Sequence, residues 1–261
     1  MRILLFDLDG TLVRAGGAGR KALNRAVQNV FGVRRDCGAA SLAGKTDLRN
    51  FEEAIRAAVG RRPRRAEIDR VHREYVRVLP RHVRVSLRAK KYRLTPGIRG
   101  LLRRLSREKD VFLGLGTGNI EQGARIKLAP SGLGDYFLFG GFGSDSYHRP
   151  AVLRKAVQRA RRHLEGRKVS PGDVYVIGDT PLDVAAGKKA GYRTIAVGTG
   201  FGTWRELVRS RPDHLAKDFR DVRQWLRWLG LEPKSRRSAA GASSGGERSR
   251  RGRERRVKGG A

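Results

Sequence analysis

Apolar residues along the chain fall into short solid runs, separated by longer stretches where they recur at helical spacing. Residues 2–6, Arg-Ile-Leu-Leu-Phe, are almost wholly apolar and stop abruptly at Asp-Leu-Asp-Gly. A run without alternation suits a parallel strand covered by helices on both faces. Comparable runs stand at residues 111–115, 136–139, 174–177 and 192–197. The stretches between them are amphipathic. One opens at Pro96, placed for a first helical turn, and carries Ile98, Leu101, Leu102 and Leu105 on one face. Another covers residues 151–164. Strands alternating with helices predict an α/β fold with a Rossmann-like, doubly wound parallel sheet.

Two regions depart from this rhythm. Between the first run and Val111 lie about a hundred residues with helical patterns at 19–30, 48–59 and 66–79 and no evident strand. That is far too long for a βα connection, so residues 15–92 are expected to form an all-helical cap inserted after the first strand, with the core in residues 1–14 and 93–232. Residues 233–261 hold Ser, Gly, Ala and Arg with a single valine. Such a segment buries too little apolar surface to offset its ordering entropy and is expected to be a disordered basic tail.

Composition narrows the function classes. No stretch reaches the roughly 18 apolar residues of a membrane span, and the start has no leader-like apolar core. The single cysteine, Cys37, allows no internal disulfide. Together these predict a cytoplasmic protein without a membrane partner. The net charge is +33, of which the tail carries ten basic and two acidic residues. Arginine outnumbers lysine 45 to 13, and the charges elsewhere are scattered without interleaved aromatics, as on a solvated surface. The tail is the part expected to give weak, non-specific polyanion binding.

Three polar groups sit where chemistry is expected in an open parallel sheet, at the carboxyl ends of strands. Asp7 and Asp9 end the first run and precede Gly10 and Thr11. Thr117, Gly118 and Asn119 follow the run at 111–115, where a hydroxyl and backbone N–H groups suit a phosphate. Asp179 ends the run at 174–177, and Asp183 lies one helical turn on, also well placed as a helix N-terminal charge. A strand-end carboxylate facing Asp7 supplies hard oxygen ligands for Mg2+.

In this order the pieces resemble the haloacid dehalogenase superfamily, over residues 1 to about 230. Asp7-Leu8-Asp9-Gly10-Thr11 is similar to its first motif, Thr117 to the second, and Gly178-Asp179-Thr180-Pro181-Leu182-Asp183 to the fourth. The third motif normally supplies a lysine, often before proline. The matching place reads Tyr147-His148-Arg149-Pro150, so Arg149 substitutes, with Lys155 the weaker candidate. The resemblance implies a phosphatase acting on a small phosphorylated substrate. Asp7 is then the nucleophile and Asp9 the acid/base. The Asp7 carboxylate, the Asp9 backbone carbonyl and Asp179 hold Mg2+. Thr117 and Arg149 bind phosphoryl oxygens, while Asn119 contacts substrate or orients its loop.

Asp9 disfavours dehalogenation, because the dehalogenases of the superfamily lack an aspartate there. The insert resembles the cap of phosphoglycolate-phosphatase-like members, and Ala43-Gly44-Lys45-Thr46-Asp47 resembles the loop that dips toward the site. Lys45 is then either a ligand for an anionic leaving group or an ordinary solvated lysine. The five histidines, at 72, 82, 148, 163 and 214, show no metal-ligand spacing, and Phe51, Tyr75, Trp225 and Trp228 read as packing residues. A phosphotransferase of the β-phosphoglucomutase kind shares cap and motifs. A nucleic-acid-binding protein on this scaffold is the alternative from another class.

Overall fold

The structure is a computed structural model, describing residues 1–34, 36 and 42–232. Its centre is strand β1 (Arg2–Phe6), whose residues Ile3, Leu4, Leu5 and Phe6 are wholly buried. Successive strand side chains point to opposite faces. Leu4 and Phe6 join the cluster formed with helix α4 (Ile98–Leu105) and Trp225, whereas Ile3 and Leu5 join the cluster formed with Leu153 and Ala156. The unbroken apolar run is thus explained by two cores, one on each face.

A ribbon and three helices follow β1. They are β2 (Val13–Ala15), α1 (Ala18–Phe31), α2 (Asp47–Val59), α3 (Arg65–Arg88) and β3 (Tyr92–Leu94). The helices share an apolar cluster of their own, including Leu23, Val27, Phe51, Ile55, Val71, Tyr75 and Leu79. After α4 come β4 (Val111–Gly116), α5 (Glu121–Leu128), β5 (Phe139–Gly141), α6 (Arg149–Ala160) and β6 (Val174–Gly178). The described chain closes with α7 (Pro181–Ala190), β7 (Arg193–Val197), α8 (Trp204–Arg209), β8 (His214–Ala216) and α9 (Val222–Trp228).

The sheet runs β5-β4-β1-β6-β7-β8 and every pairing is parallel. The α/β, Rossmann-like expectation holds. Strand order reverses at β1, and Phe6 is level with Leu115 on one side and Ile177 on the other. Asp7, Thr117 and Asp179 therefore leave three adjacent strands at the same edge, at the switch point where such folds bind ligands.

Several expectations are corrected. The stretch between β1 and Val111 does contain strands: β2 and β3 pair antiparallel, with Arg14 opposite Arg93. Three-residue strands are too short to show alternation, and their partners are remote in sequence. The strand expected at 136–139 lies at Phe139–Gly141, where two glycines hide it, and residues 134–136 form a 3-10 turn. Pro96 precedes α4, whose N-cap is Gly97. Helix α3 continues through Pro80 to Arg88, well past 79. Trp225 is buried and stacks on Phe219 at 5.0 Å, as a packing residue should. No described helix is long and apolar enough to cross a membrane. The basic tail at 233–261 and Cys37 lie outside the described residues.

Gly97 shows how tightly the C-terminal segment is seated. Its φ is +83°, and a Cβ there would lie 2.4 Å from both Arg220 N and Phe219 C. Gly32 also has a positive φ, +68°, but faces open space. Gly97→Ala combines backbone strain with overpacking and should cost at least about 2 kcal/mol, against about 1 kcal/mol for Gly32→Ala. Urea denaturation of the two variants checks this; equal losses would mean that the Phe219–Arg220 contact contributes nothing.

Candidate active site

Asp7 stands one residue past β1, and its N–H donates to Ile177 O at 2.9 Å. Its carboxylate, with those of Asp179 and Asp183, forms a buried group in which one oxygen from each lies within 4.8 Å of the others. Like charges this close and this dry repel strongly unless something compensates them. The compensation comes from three directions.

Asp179 is held by donors. Thr11 Oγ1 donates to its Oδ1 at 3.0 Å and the Phe201 N–H to its Oδ2 at 2.7 Å. Gly10 and Gly200 leave room for it, since a Cβ would approach Asp179 Oδ2 to 2.4 Å and 1.8 Å respectively. Asp183 closes a capping box at the start of α7: the Thr180 N–H and hydroxyl donate to its Oδ2 at 3.0 and 2.6 Å. Its other oxygen accepts from the Arg149 guanidinium. Both readings of Asp183 from the sequence therefore apply, helix cap and member of the acidic group.

Arg149 is the cation of the group. It lies in the first turn of α6, buried, with Nη2 3.6 Å from Asp7 Oδ1. A Cβ on Gly118 would sit 2.9 Å from Nη1, so the fork lies against the Thr117–Asn119 loop. Lys155 is exposed on α6 and bonds Gln158 at 3.0 Å, away from the site. Thr117 is wholly buried, and its oxygen accepts from Asn119 N at 3.2 Å and Nδ2 at 2.9 Å.

Asp9 faces elsewhere. Its Oδ2 accepts from Lys127 Nζ at 2.6 Å and Asn119 Nδ2 at 3.0 Å, and Asn119 Oδ1 accepts from Lys127 at 2.6 Å. Its carboxylate is therefore not among the three clustered oxygens.

A cavity of about 940 Å³ opens from these residues and runs past Lys45, Phe51 and Tyr75 to Arg14 and Arg93 on the β2–β3 ribbon. The loop before α2 does press on the site: Lys45 O lies where a Gly118 Cβ would come within 2.1 Å of it. The Lys45 ammonium, however, is paired with Glu53 at 2.6 Å. His148 sits at the edge, 3.4 Å from Arg49.

Sequence reasoning missed Lys127 and the Phe201 N–H, and quoted Thr11 and Asp47 within motifs without giving either a role. Lys127 left no clear signal: with Gly123, Ala124 and Leu128 it occupies the buried face of α5, an unusual place for a lysine, on a helix of only eight residues. Asp47, at the start of α2, accepts from the Ile120 N–H at 2.9 Å.

Burial sets the electrostatics. It raises the Asp7 carboxyl from 3.8 to about 7, opposed by Arg149 and reinforced by Asp183 and Asp9. Burial, then Asp183 and Asp7, carry Asp179 well above the carboxylate range. Burial also raises Asp47, against the pull of Lys127. For Lys127 burial acts downward, but Asp9, Tyr75 and Asp47 outweigh it and the ammonium is held charged.

The residues fit a divalent cation. Asp7 Oδ1 is buried without a hydrogen-bond partner, beside two more hard oxygen donors, and the carboxylates of Asp7, Asp9, Asp179 and Asp183 outnumber the cations Arg149 and Lys127.

Together, a parallel sheet with its switch point at an aspartate and a buried group of three carboxylates beside the Thr117–Asn119 loop fit a phosphoryl-transfer site. The family profile for haloacid dehalogenase-like hydrolases matches residues 1–191, and the chain belongs to that family. Among solved structures it is similar to a predicted phosphatase from Clostridium acetobutylicum, with a TM-score of 0.65 and 20% identity over 87% of this chain and 99% of that one. A predicted phosphoglycolate phosphatase from Haemophilus somnus 129PT gives 0.60 and 18%, over 86% and 97%. A protein from Bacteroides vulgatus, provisionally named a β-phosphoglucomutase, gives 0.63 and 20%, over 88% and 90%. Comparison with curated proteins finds no match.

Protonation of Asp7 gives a test of the cation reading. In the folded, metal-free protein Asp7 keeps its proton up to about pH 7, while the unfolded chain loses it near 3.8. The folded state binds more protons between these values, so its stability falls as pH rises through that window. A cation needs the deprotonated form, so Mg2+ should raise the melting temperature more at about pH 8 than at about pH 5. A shift that is absent, or equal at both, contradicts a cation site at Asp7.

Proposed function

We propose that this hydrolase is a Mg2+-dependent phosphatase that cleaves a small phosphate monoester through an aspartyl-phosphate on Asp7. The observation that carries the reading is Asp7 Oδ1, a buried carboxylate oxygen with no hydrogen-bond partner, 3.6 Å from Arg149. An unsatisfied buried carboxylate oxygen is costly. Asp7 lines the cavity, the position of a nucleophile waiting for phosphorus and metal.

Asp7, Asp179 and Asp183 are the side chains that would hold the cation, which neutralises phosphate charge so that an anionic nucleophile can approach. In the first step an Asp7 oxygen bonds to phosphorus as the ester P–O bond breaks, and Asp9 delivers a proton to the departing oxygen. In the second step Asp9 takes a proton from water as the water oxygen attacks phosphorus. The aspartyl P–O bond then breaks, releasing phosphate and restoring Asp7. Thr117 and Arg149 hold the phosphoryl oxygens, and the Arg149 fork also ties α6 to Asp183. The cavity beyond the acidic group leaves room for an organic leaving group. The loop carrying Lys45, packed on Gly118, narrows that end against a polymer. A small phosphorylated acid or sugar suits it better than a nucleic acid.

The Bacteroides vulgatus neighbour keeps a phosphotransferase reading in play, in which the aspartyl-phosphate passes to a sugar phosphate and not to water. Release of inorganic phosphate from a panel of phosphate esters with Mg2+ separates the two. Asp7→Asn should lower turnover at least about a thousandfold, near 4 kcal/mol of barrier. Arg149→Lys keeps the charge and should retain more activity than Arg149→Ala, which leaves both Asp183 and the phosphoryl group without a cation. A folded Asp7→Asn enzyme with normal turnover refutes the mechanism.

A further inference from the structure

Lys127 is among the most enclosed cations in the described molecule, with a side chain 5% exposed. Its walls come from both parts of the fold. The core supplies Asp9 and Asn119, each 2.6 Å from Nζ. The helical insert supplies Tyr75 from α3 and Asp47 from α2, both of which act electrostatically on it. Gly19 of α1 completes the wall: a Cβ there would lie 2.9 Å from Nζ and 3.5 Å from the Tyr75 hydroxyl. Even the backbone of Lys127 is pinned, its carbonyl accepting from the Tyr92 hydroxyl of β3 at 2.8 Å.

A buried ion pair of this kind is weak evidence for stability, because desolvating both charges costs about as much as their attraction returns. Its geometry has another consequence. Oδ2 of Asp9 is gripped by two donors, Lys127 and Asn119, which fix the plane of the carboxylate and leave Oδ1 as the atom without a described donor. Asp9 stands on the loop after β1, where a short side chain otherwise has several rotamers open to it. The Lys127 end of the grip is enclosed by Tyr75, Asp47 and Gly19. Asp47 is itself docked on the core, donating its N–H to Gly118 O at 2.7 Å and accepting from Ile120 N–H.

We propose that Lys127 is a positioning residue for the proton-transfer step: it holds the Asp9 carboxylate by one oxygen so that the other faces the departing ester oxygen and then the attacking water, and the docked insert makes that hold rigid by excluding water. The bond changes are those of the two steps above, and Lys127 exchanges no proton in either. The inference rests on Asp9 being the acid/base, and its test separates the two claims.

Loss of a positioned acid hurts esters whose leaving group needs a proton and spares those whose leaving group departs as a stable anion. The test compares an alkyl phosphate with 2,4-dinitrophenyl phosphate, both with Mg2+, for the wild type, Asp9→Asn and Lys127→Met. Methionine keeps the length and removes the charge. Lys127→Met should lower kcat/KM, which covers only the steps up to departure of the leaving group, by about a hundredfold or more on the alkyl ester and by less than about tenfold on the dinitrophenyl ester. Asp9→Asn should distort the ratio in the same direction. Both esters falling equally in Lys127→Met, or neither falling, overturns the inference and leaves a structural lysine. A ratio undisturbed in Asp9→Asn overturns the acid/base reading of Asp9, and the Lys127 inference with it. If Lys127→Met does not fold, Lys127→Gln carries the same comparison, since the ratio is internal to each sample.

Discussion

The carboxylates of Asp7, Asp179 and Asp183 are buried within 4.8 Å of one another, and much of the surrounding architecture is a response to that repulsion. Thr11 and the Phe201 N–H stabilise Asp179, Thr180 stabilises Asp183, and Arg149 stands between Asp183 and Asp7. Gly10 and Gly200 are small because the Asp179 carboxylate occupies the space a Cβ would need. What is left without a hydrogen bond is Oδ1 of Asp7, a residue that lines the cavity. The site is thus preorganised around a deficit of positive charge, which a divalent cation and the phosphate it accompanies would fill together.

The insert acts on this site through contact with loops of the core. The Ala43–Asp47 segment lies on Gly118, Asp47 docks on the start of α5, and Tyr75 reaches Lys127. The β2–β3 ribbon joins insert to core at both ends. Covering the site lowers the local dielectric, which strengthens the hold of Lys127 on Asp9 and of Arg149 on Asp7 and Asp183.

The motif residues at strand ends were legible because their context is local: an apolar run long enough for one strand, stopped by an aspartate, fixes which edge of a parallel sheet it reaches. Arg149 was legible through Pro150 at the helix start, and Asp183 through its place one helical turn after Asp179. The misses have different causes. Arg14 and Arg93 pair across the whole insert, so neither three-residue strand carries its own signal. The neutralisation of Lys45 needs Glu53, brought back by the approach of α2 to the loop. Lys127 sits on a helix of eight residues, too short for its periodicity to show that a lysine occupies the buried face.

The central claim is that Asp7 forms the covalent bond to phosphorus. Enzyme turning over a phosphate ester with Mg2+ can be quenched in acid, reduced with borohydride and mapped by peptide mass spectrometry. An acyl phosphate on Asp7 is reduced to the alcohol, so the account predicts homoserine at position 7 and at no other aspartate, and none in Asp7→Asn. Reduction at a different carboxylate, or steady turnover with Asp7 never trapped, would contradict it.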